Sequence, residues 1–400
     1  MSRAVLHLDT GLTLRGGQRQ VLLLMRALRD RGWRNTLAAP PDSTLAQRAA
    51  AEGFALLPFA PRNDLDLVAA WRLGRAADEA GLDLWHAHSA RAHSQARLAL
   101  SWPLAAPRRR LVVTRRNAFR GRTGLSHRIK YRDERVSRYV AISRAVAEGL
   151  AARGVSLSRI QLVPDAVDPA VYAAAAQAQL GDQIPALPSA DPALREQVRQ
   201  EFGFPPDAFV VGAAGALDPS KGHDLLLRAA SRASIQEPRL HVVIAGEGPE
   251  RDRLASESAH LGMGEHFRLL GQRGDVPRLL AGLDLFCMPS REEGLGSAVL
   301  EAFAAGVPVL ASDAGGLAEL LQPGVTGRRV PRDDLAALAE ALLEAVRNPE
   351  HGRAMALNAY QCAVKQFSTG RMAEAMERIY DSLGMDGDRP RAAASAGGLP

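Results

Sequence analysis

Glu293 and Glu301 stand at the two ends of a short turn-and-helix pattern in EEGLGSAVLEAFAAG, residues 292–306. The first acid precedes a Gly-x-Gly turn, Gly294-Leu295-Gly296. The second falls one turn into an apolar run that opens near Ser297. Glycines at 294 and 296 let the backbone approach a ligand closely and take unusual φ values. Amides around Leu295–Ala298 would face outward at a helix N-terminus, which is a ready anion site. Carboxylates beside an anion site repel the anion, so their use must lie elsewhere. A carboxylate accepts strong charge-assisted hydrogen bonds from a sugar diol. One acid on each side of a diphosphate suits a nucleotide sugar, with a ribose at one end and a hexose at the other. A plainer reading of Glu301 stays open: an acid in a first helical turn gains about 0.3–1 kcal/mol from the helix dipole. A capping box would need its acid at Leu300, where there is none.

Four further stretches carry chemistry-bearing residues after strand-like runs. In VVGAAGALDPSKGHD (210–224) a glycine loop leads to Lys221, one of three lysines among 50 basic residues. The P-loop order is absent, yet a compact ammonium suits a diphosphate as a point charge. GEGPER (246–251) places Gly246, Gly248 and Pro249 at the end of another strand, a common position for a turn. RGGQRQ (15–20) puts Gly16 and Gly17 before a helix, either for an anion or for a tight turn. In WHAHSARAH the alternation is read as sending His86 and His88 to opposite sides, one to a cleft and one into the core. Two histidines without a nearby acid are poor evidence for a metal.

The chain has 400 residues, 46% hydrophobic and 24% charged, which suits a globular protein of two domains. Its two cysteines, Cys287 and Cys362, have no metal-ligand spacing and fit a reducing compartment. The opening residues lack the order of a secretory signal. No apolar run approaches the roughly 18 residues that span a bilayer. The expected location is cytoplasmic, with attachment to the inner face of the cell membrane left open. Charge is uneven: residues 1–168 carry 28 Lys+Arg against 14 Asp+Glu, and residues 106–138 alone hold 12 basic and two acidic. Such a face attracts phosphates, unless it is only a solvated Arg-rich surface.

Strand and helix patterns alternate along both halves. AVLHLD, TLAAP, ALLPF, LWHAHS, RLVVTRR, YVAIS and IQLVP read as strands in the first half. FVVGAAG, LHVVIAGEG, FRLLGQ, LDLFCMPS and VPVLAS read as strands in the second. The alternation predicts an α/β protein of two facing, Rossmann-like, doubly wound parallel-sheet domains. The expected division is 1–168, a hinge and Ala/Pro-rich insertion at 169–205, and a second domain at 206–365. A terminal helix at 366–384 is expected to pack back on the first domain, and a tail at 385–400 to be disordered. Ligands of such sheets bind beyond the carboxyl ends of the strands, so the site belongs in the interdomain cleft.

EGLGSAVLE resembles the E-x7-E signature of retaining glycosyltransferases of family 4, which have the type-B fold. GGQRQVLLLMRALRDRG, YVAISRAVAEGLAARGV, IQLVPDAVDP, GALDPSKGHDLLLRA, VIAGEGPER, LLGQR and VPVLASDAGGLAELLQPGVTGRRV follow in the family's order, over roughly residues 1–380 except the insertion near 171–200. The resemblance implies that Glu301 holds the donor ribose and Glu293 the transferred sugar. It implies that the Gly294–Ser297 amides and Lys221 hold the diphosphate. Gly246–Pro249 and Leu270–Arg273 would flank the base; Gly16 and Gly17 would border the phosphate and the acceptor. His88, Arg115 and Arg116 would lie on the acceptor or phosphate side. Two departures stand out. Family members usually have Gly-Arg-Leu where this chain has Gly215-Ala216-Leu217, so one cation is missing; Arg115, Arg291 or Arg273 could replace it. Many members carry a histidine where this chain has Arg115 or Arg116.

The implied activity is transfer of a sugar, with retention, from a nucleotide-diphosphate sugar to a hydroxyl on a lipid-linked, lipopolysaccharide-core or polysaccharide glycan. No cofactor or metal is expected: the Asp-x-Asp matches at Asp64–Asp66 and Asp386–Asp388 lie in a first-domain loop and the tail. The basic first domain suggests an anionic membrane surface as a partner. A type-B-fold nucleotide-sugar epimerase would share the cleft without an acceptor. A nucleic-acid-binding protein would explain the basic segment but not the paired acids, and no stacking aromatics interleave the arginines; no nucleic-acid partner is expected.

Overall fold

In the computed structural model, residues 3–101, 109–117, 119, 130–172 and 192–383 are described. The 385–400 tail, Asp386–Asp388 and most of the Ala/Pro-rich insertion lie outside them, as do several arginines of the basic stretch. The first sheet contains β1 (Ala4–Leu8), β2 (Arg34–Ala39), β3 (Ala55–Pro58), β4 (Leu84–Ala87), β5 (Arg110–Arg115), β6 (Val136–Ala141) and β7 (Ile160–Leu162). The second contains β8 (Phe209–Ala214), β9 (Leu240–Ala245), β10 (Phe267–Gly271), β11 (Leu285–Met288), β12 (Val309–Ser312) and β13 (Arg328–Val330). Their orders are β3-β2-β1-β4-β5-β6-β7 and β10-β9-β8-β11-β12-β13. Every pairing is parallel.

The inner strands are buried along their whole length, as in Leu84–Ala87 and Leu285–Met288. Helices on both faces explain their largely apolar sequence, in which His86 is the polar member of Leu84–Ala87. The strand order reverses between β1 and β4 in one sheet and between β8 and β11 in the other. Loops leaving neighbouring strands diverge at such switch points and open a crevice. The loops after β1 and β4 therefore face one side of the cleft; those after β8 and β11 face the other.

The chain passes between the domains twice, and the two passages lie side by side. The Val167 N–H donates to the Phe367 carbonyl at 2.8 Å, in a bridge to Ser368. Beyond that point the helix Thr369–Asp381 buries Met372, Met376, Ile379 and Tyr380 in one cluster with Val5, Leu24, Leu28 and Trp33 of the first domain. Gln20 fastens the same region, donating to the Ala166 carbonyl at 2.7 Å and accepting from the Ala166 N–H at 2.9 Å.

Three sequence expectations differ from the structure. The sequence pattern puts residues 192–202 in the hinge and insertion, but Pro192–Phe202 form a helix of the second domain. Val198 and Phe202, one turn apart, pack where a side chain at Gly282 would otherwise sit. The strand β13 has no counterpart among the expected strands: it has three residues, two of them arginine, and lies at a sheet edge. His86 and His88 do not diverge. Residues two apart in a strand share a face, and their ring centroids are 3.9 Å apart.

Candidate active site between the two sheets

The second-domain wall is built by the loops after β8 and β11. Beyond β11 the chain turns through Gly296, at φ 100°, into the helix Ser297–Ala304. A side chain is strained in that left-handed region, so glycine is what permits the turn. The turn also meets the other domain: a Cβ at Gly294 would lie 1.8 Å from the Arg116 carbonyl oxygen. From behind, the Gly315-Gly316 backbone presses on the 293–295 turn, and the Gly316 N–H donates to the Glu293 carbonyl. The tip of the turn, with its amides at a helix N-terminus, is thereby fixed.

Lys221 is brought to Glu293 by a second close fit. A short 3-10 turn, Pro219–Lys221, is capped by Asp218, which accepts from the Ser220 N–H at 2.9 Å. Gly222 follows at φ 67°, where a Cβ would lie 2.0 Å from the Pro289 carbonyl oxygen. The β8 loop thus rests on the end of β11. Lys221 Nζ donates to Glu293 Oε2 at 2.6 Å. Glu293 Oε1 accepts from the Gly294 N–H at 3.2 Å, and Ser290 Oγ donates to Oε2 at 3.4 Å.

Glu301 lies one turn deeper, and its nearest cation belongs to the other domain. Arg19, on the helix Gly16–Asp30, donates through Nη1 to Glu301 Oε1 at 3.3 Å and through Nη2 to the Arg273 carbonyl at 3.4 Å. Burial raises the Glu301 pKa above its ordinary 4.5, and Arg19 opposes the rise. Gly16 abuts the facing helix start: its Cβ would sit 2.9 Å from Ser297 Oγ. Gly17 lies beside Arg116, its Cβ position being 3.6 Å from Arg116 Cδ.

The first-domain wall is a buried row of rings. His7 and His86 are in register on β1 and β4. His7 Nδ1 bonds His88 Nε2 at 2.9 Å, and His7 Nε2 bonds Asn35 Oδ1 at 3.0 Å. His86 bonds Thr114 at 2.6 Å and the Tyr380 hydroxyl at 2.7 Å. His88 Nδ1 lies 3.4 Å from Arg116 Nη1, and Arg116 Nε donates to Asp165 at 3.1 Å. Burial drives all three imidazoles toward the neutral form, His7 to about 4, and the Arg116 charge adds to this. Burial raises the Asp165 pKa, Arg116 opposes, and the Glu293 charge adds to the rise. The ring nitrogens of His7, His86 and His88 lie within 4.8 Å of one another, close enough to ligate one metal ion. Each already has a hydrogen-bond partner, and a fixed guanidinium beside them disfavours a cation.

The cleft therefore gathers Glu293, Gly294, Leu295, Gly296, Ser297, Glu301, Lys221, Gly16, Gly17, Arg116 and His88. Other named residues face elsewhere. Arg115 packs over Phe119 and Tyr131, with ring centroids 4.9 and 5.9 Å away. Arg273 turns its side chain to Asp275, at 2.8 and 2.6 Å, and to Glu201, at 2.7 Å; its carbonyl is what meets Arg19. Arg291 is held by Asp224 and Asp333. Arg273 and Arg291 are thus held by acids and do not stand free to replace the cation missing at Ala216, and Arg115 lies over aromatic rings. Gly246 and Gly248 allow close packing of loops, since a Cβ at either would strike the Gly215 or Leu217 carbonyl oxygen. Pro249 is exposed at that turn. In the first-domain loop, Asp66 caps its own helix and Asp64 accepts from Ser94.

Sequence reasoning missed Arg19, His7, Asp165 and Glu319. Glu319 accepts from the Arg144 and Ala145 N–H groups at 2.8 and 3.0 Å, clasping a first-domain helix start from the second domain. Nothing in the local sequence marks Arg19, whose partner Glu301 lies 282 residues away.

Comparison with known proteins agrees with this geometry in both halves. Residues 14–171 match the family described as Glycosyltransferase Family 4, and residues 195–362 match Glycosyl transferases group 1. A D-inositol 3-phosphate glycosyltransferase of Saccharomonospora viridis is 34% identical over 200 residues, covering 47% of this chain and 46% of that protein. The lipopolysaccharide core biosynthesis mannosyltransferase LpsB of Rhizobium meliloti is 30% identical, covering 47% of this chain and 56% of that protein. The matches thus span about half the length of these curated relatives. The crystal structure of Anabaena Alr3699/HepE in complex with UDP and glucose superposes with a TM-score of 0.80 at 22% identity, over 95% of this chain and 100% of that one. A sucrose-phosphate synthase from Thermosynechococcus elongatus does so at 0.72 and 17%, over 95% and 99%. The fold is the type-B arrangement of two Rossmann-like domains, and the chain belongs to glycosyltransferase family 4.

Proposed function

We propose that the protein is a retaining glycosyltransferase that moves a sugar from a nucleoside diphosphate sugar to a hydroxyl of a cell-envelope glycan. The observation that carries this is the placing of Glu293 and Glu301 on either side of the Ser297 helix start, with Lys221 beside the first acid. Carboxylates suit hydroxyl groups, whereas outward amides and an ammonium suit phosphate. Family membership supports the reaction class. The UDP and glucose named for Anabaena HepE support a nucleotide donor, and the relationship to LpsB supports an envelope acceptor.

In this reading Glu301 accepts hydrogen bonds from the ribose, and Glu293 from the hexose. The Leu295–Ala298 amides and Lys221 stabilise charge that builds on the leaving diphosphate. One such donor is worth about 2.7–4 kcal/mol of barrier. The facing wall, with Gly16, Gly17 and Arg116, closes over the sugar, aligns the acceptor hydroxyl and excludes water. A departing phosphate oxygen takes the acceptor's proton, since the buried histidines are too weakly basic and already bonded. The fixed cations do the work a metal would do, so no metal is required.

The acceptor is proposed to sit at an anionic membrane. No described helix is long and apolar enough to cross one. The first domain does carry an exposed apolar group, Leu65, Leu67, Val68 and Trp71. Exposed Arg62, Arg72 and Arg75 border it. Apolar side chains flanked by arginine suit the interface of an acidic bilayer.

A thermal-shift panel of UDP-, GDP- and ADP-sugars tests the donor, followed by Glu301→Gln on the best hit. Stabilisation of the wild type that is lost in the variant is expected; equal stabilisation of both would remove the assigned role of Glu301. Flotation with anionic liposomes at low salt tests the membrane. Trp71→Ser should reduce recovery in the lipid fraction, and no wild-type recovery would end the proposal.

A further inference from the structure

The cations around the cleft differ in what holds them. Arg291 is shared by Asp224 and Asp333, Arg273 by Asp275 and Glu201, and Arg116 is paired with buried Asp165. None of those acids is Glu293 or Glu301, the two assigned to the donor's hydroxyl groups. Lys221 and Arg19 are different. Their carboxylates are Glu293 and Glu301, at 2.6 and 3.3 Å, the two acids assigned to the donor's hydroxyl groups.

We propose that Arg19 is the second cation of the diphosphate site, supplied by the opposite domain, and that a donor binds by exchanging partners with the pairs Lys221–Glu293 and Arg19–Glu301. The inference rests on the nucleoside-diphosphate reading above. Donor hydroxyls compete with the two cations for the carboxylates, and the phosphates receive the cations so released. Each group keeps a polar partner through the exchange: the carboxylates accept from hydroxyl groups and the cations take the phosphate charge, so none is left without a hydrogen bond in a partly buried cleft.

The geometry supports the transfer. Arg19 lies one turn into a helix whose first residue, Gly16, abuts Ser297, the start of the helix that offers amides to the phosphate. The Arg19 guanidinium has five N–H donors. Two meet Glu301 and the Arg273 carbonyl. A planar fork of this kind matches phosphate oxygens in a bidentate manner. Ala216 leaves the second-domain wall short of one cation, and Arg19 restores the count from across the cleft. Because it stands on the other domain, its bond to phosphate also ties donor binding to domain closure.

Calorimetric titration separates these roles. UDP, GDP and ADP are each titrated into the wild-type protein, and the tightest is compared with its own nucleoside in wild type, Arg19→Gln and Arg19→Lys. Arg19→Gln should weaken the diphosphate at least tenfold while nucleoside affinity stays equal or rises, since a competitor for Glu301 is gone. Arg19→Lys should recover part of the loss by keeping the charge. Diphosphate affinity within twofold of wild type in Arg19→Gln, or equal weakening of diphosphate and nucleoside, would overturn the proposal and leave the donor site standing. If the wild type binds none of the three diphosphates, the donor reading itself falls, and this inference falls with it.

Discussion

Among the described residues, two arginines of the first domain reach the cleft, and each meets a carboxylate. Arg116 and Asp165 are 11% and 7% exposed; Arg19 and Glu301 are 28% and 21% exposed. The Arg116–Asp165 pair sits beside the row of neutral histidines, within the first domain. The Arg19–Glu301 pair spans the domains. Depth decides what an ion pair can do. A buried pair cannot lose one member without leaving an uncompensated charge, so it serves as structure. A partly exposed pair gains little by staying together, so a ligand of matching charge and hydroxyl content can divide it. The first wall is therefore a fixed template, and the second offers exchangeable partners.

The largest effect should come from breaking the buried pair. Asp165→Ala strands Arg116 and should cost about 3–5 kcal/mol of stability, read by urea denaturation. The same measurement on Glu301→Gln should show a loss below about 1 kcal/mol. Equal losses in the two variants would erase the distinction.

Acid should attack the template next. The unfolded chain takes up protons on His7 near 6.5, whereas the folded chain does so only near 4. Stability is therefore full above 6.5 and falls as pH drops toward 4, by roughly 3 kcal/mol from this residue alone. Asp165 and Glu301 act in the opposite sense, because their raised pKa values favour the folded state on acidification. The His7 contribution is isolated by subtracting the pH dependence of His7→Gln from that of the wild type. A difference that does not change between pH 7 and pH 4.5 would mean that His7 is not held neutral.

The smallest effect concerns the clasp between the walls. Glu319→Gln keeps an acceptor at the helix start of Arg144 but removes its charge. It should weaken donor binding only slightly, by about 0.3–1 kcal/mol, with the melting temperature nearly unchanged. A loss of tenfold or more in affinity would mean that closure of the walls, rather than partner exchange, governs donor binding.

Much of the fold could be read from the sequence because both sheets are parallel and doubly covered. Their strands are then short apolar runs between amphipathic helices, and twelve expected runs coincide with strands. The exception, β13, is a short arginine-bearing edge strand whose pattern is not apolar. The helix Pro192–Phe202 is hidden in an Ala/Pro/Gln-rich stretch, although Val198 and Phe202 are spaced for one face. In the site, the residues of single loops are legible: Gly294 and Gly296 with Glu293, and Lys221 before Gly222. Contacts between distant parts of the chain are not. Arg19 lies 282 residues from Glu301, and no local pattern marks such a pair. The histidines are misread through a rule of spacing: alternate residues of β4 point to one face, so His86 and His88 join His7 in one row.

In the proposed donor complex Glu301 and Glu293 hold alcohol groups while Lys221, Arg19 and the Ser297 helix start hold phosphate. A crystal structure with a bound nucleoside diphosphate sugar tests it most directly. Ribose hydroxyls are expected within about 2.7–3.2 Å of the Glu301 oxygens, with the Arg19 guanidinium on the diphosphate. A nucleotide bound while Glu301 keeps Arg19 and faces away from the ribose would contradict it.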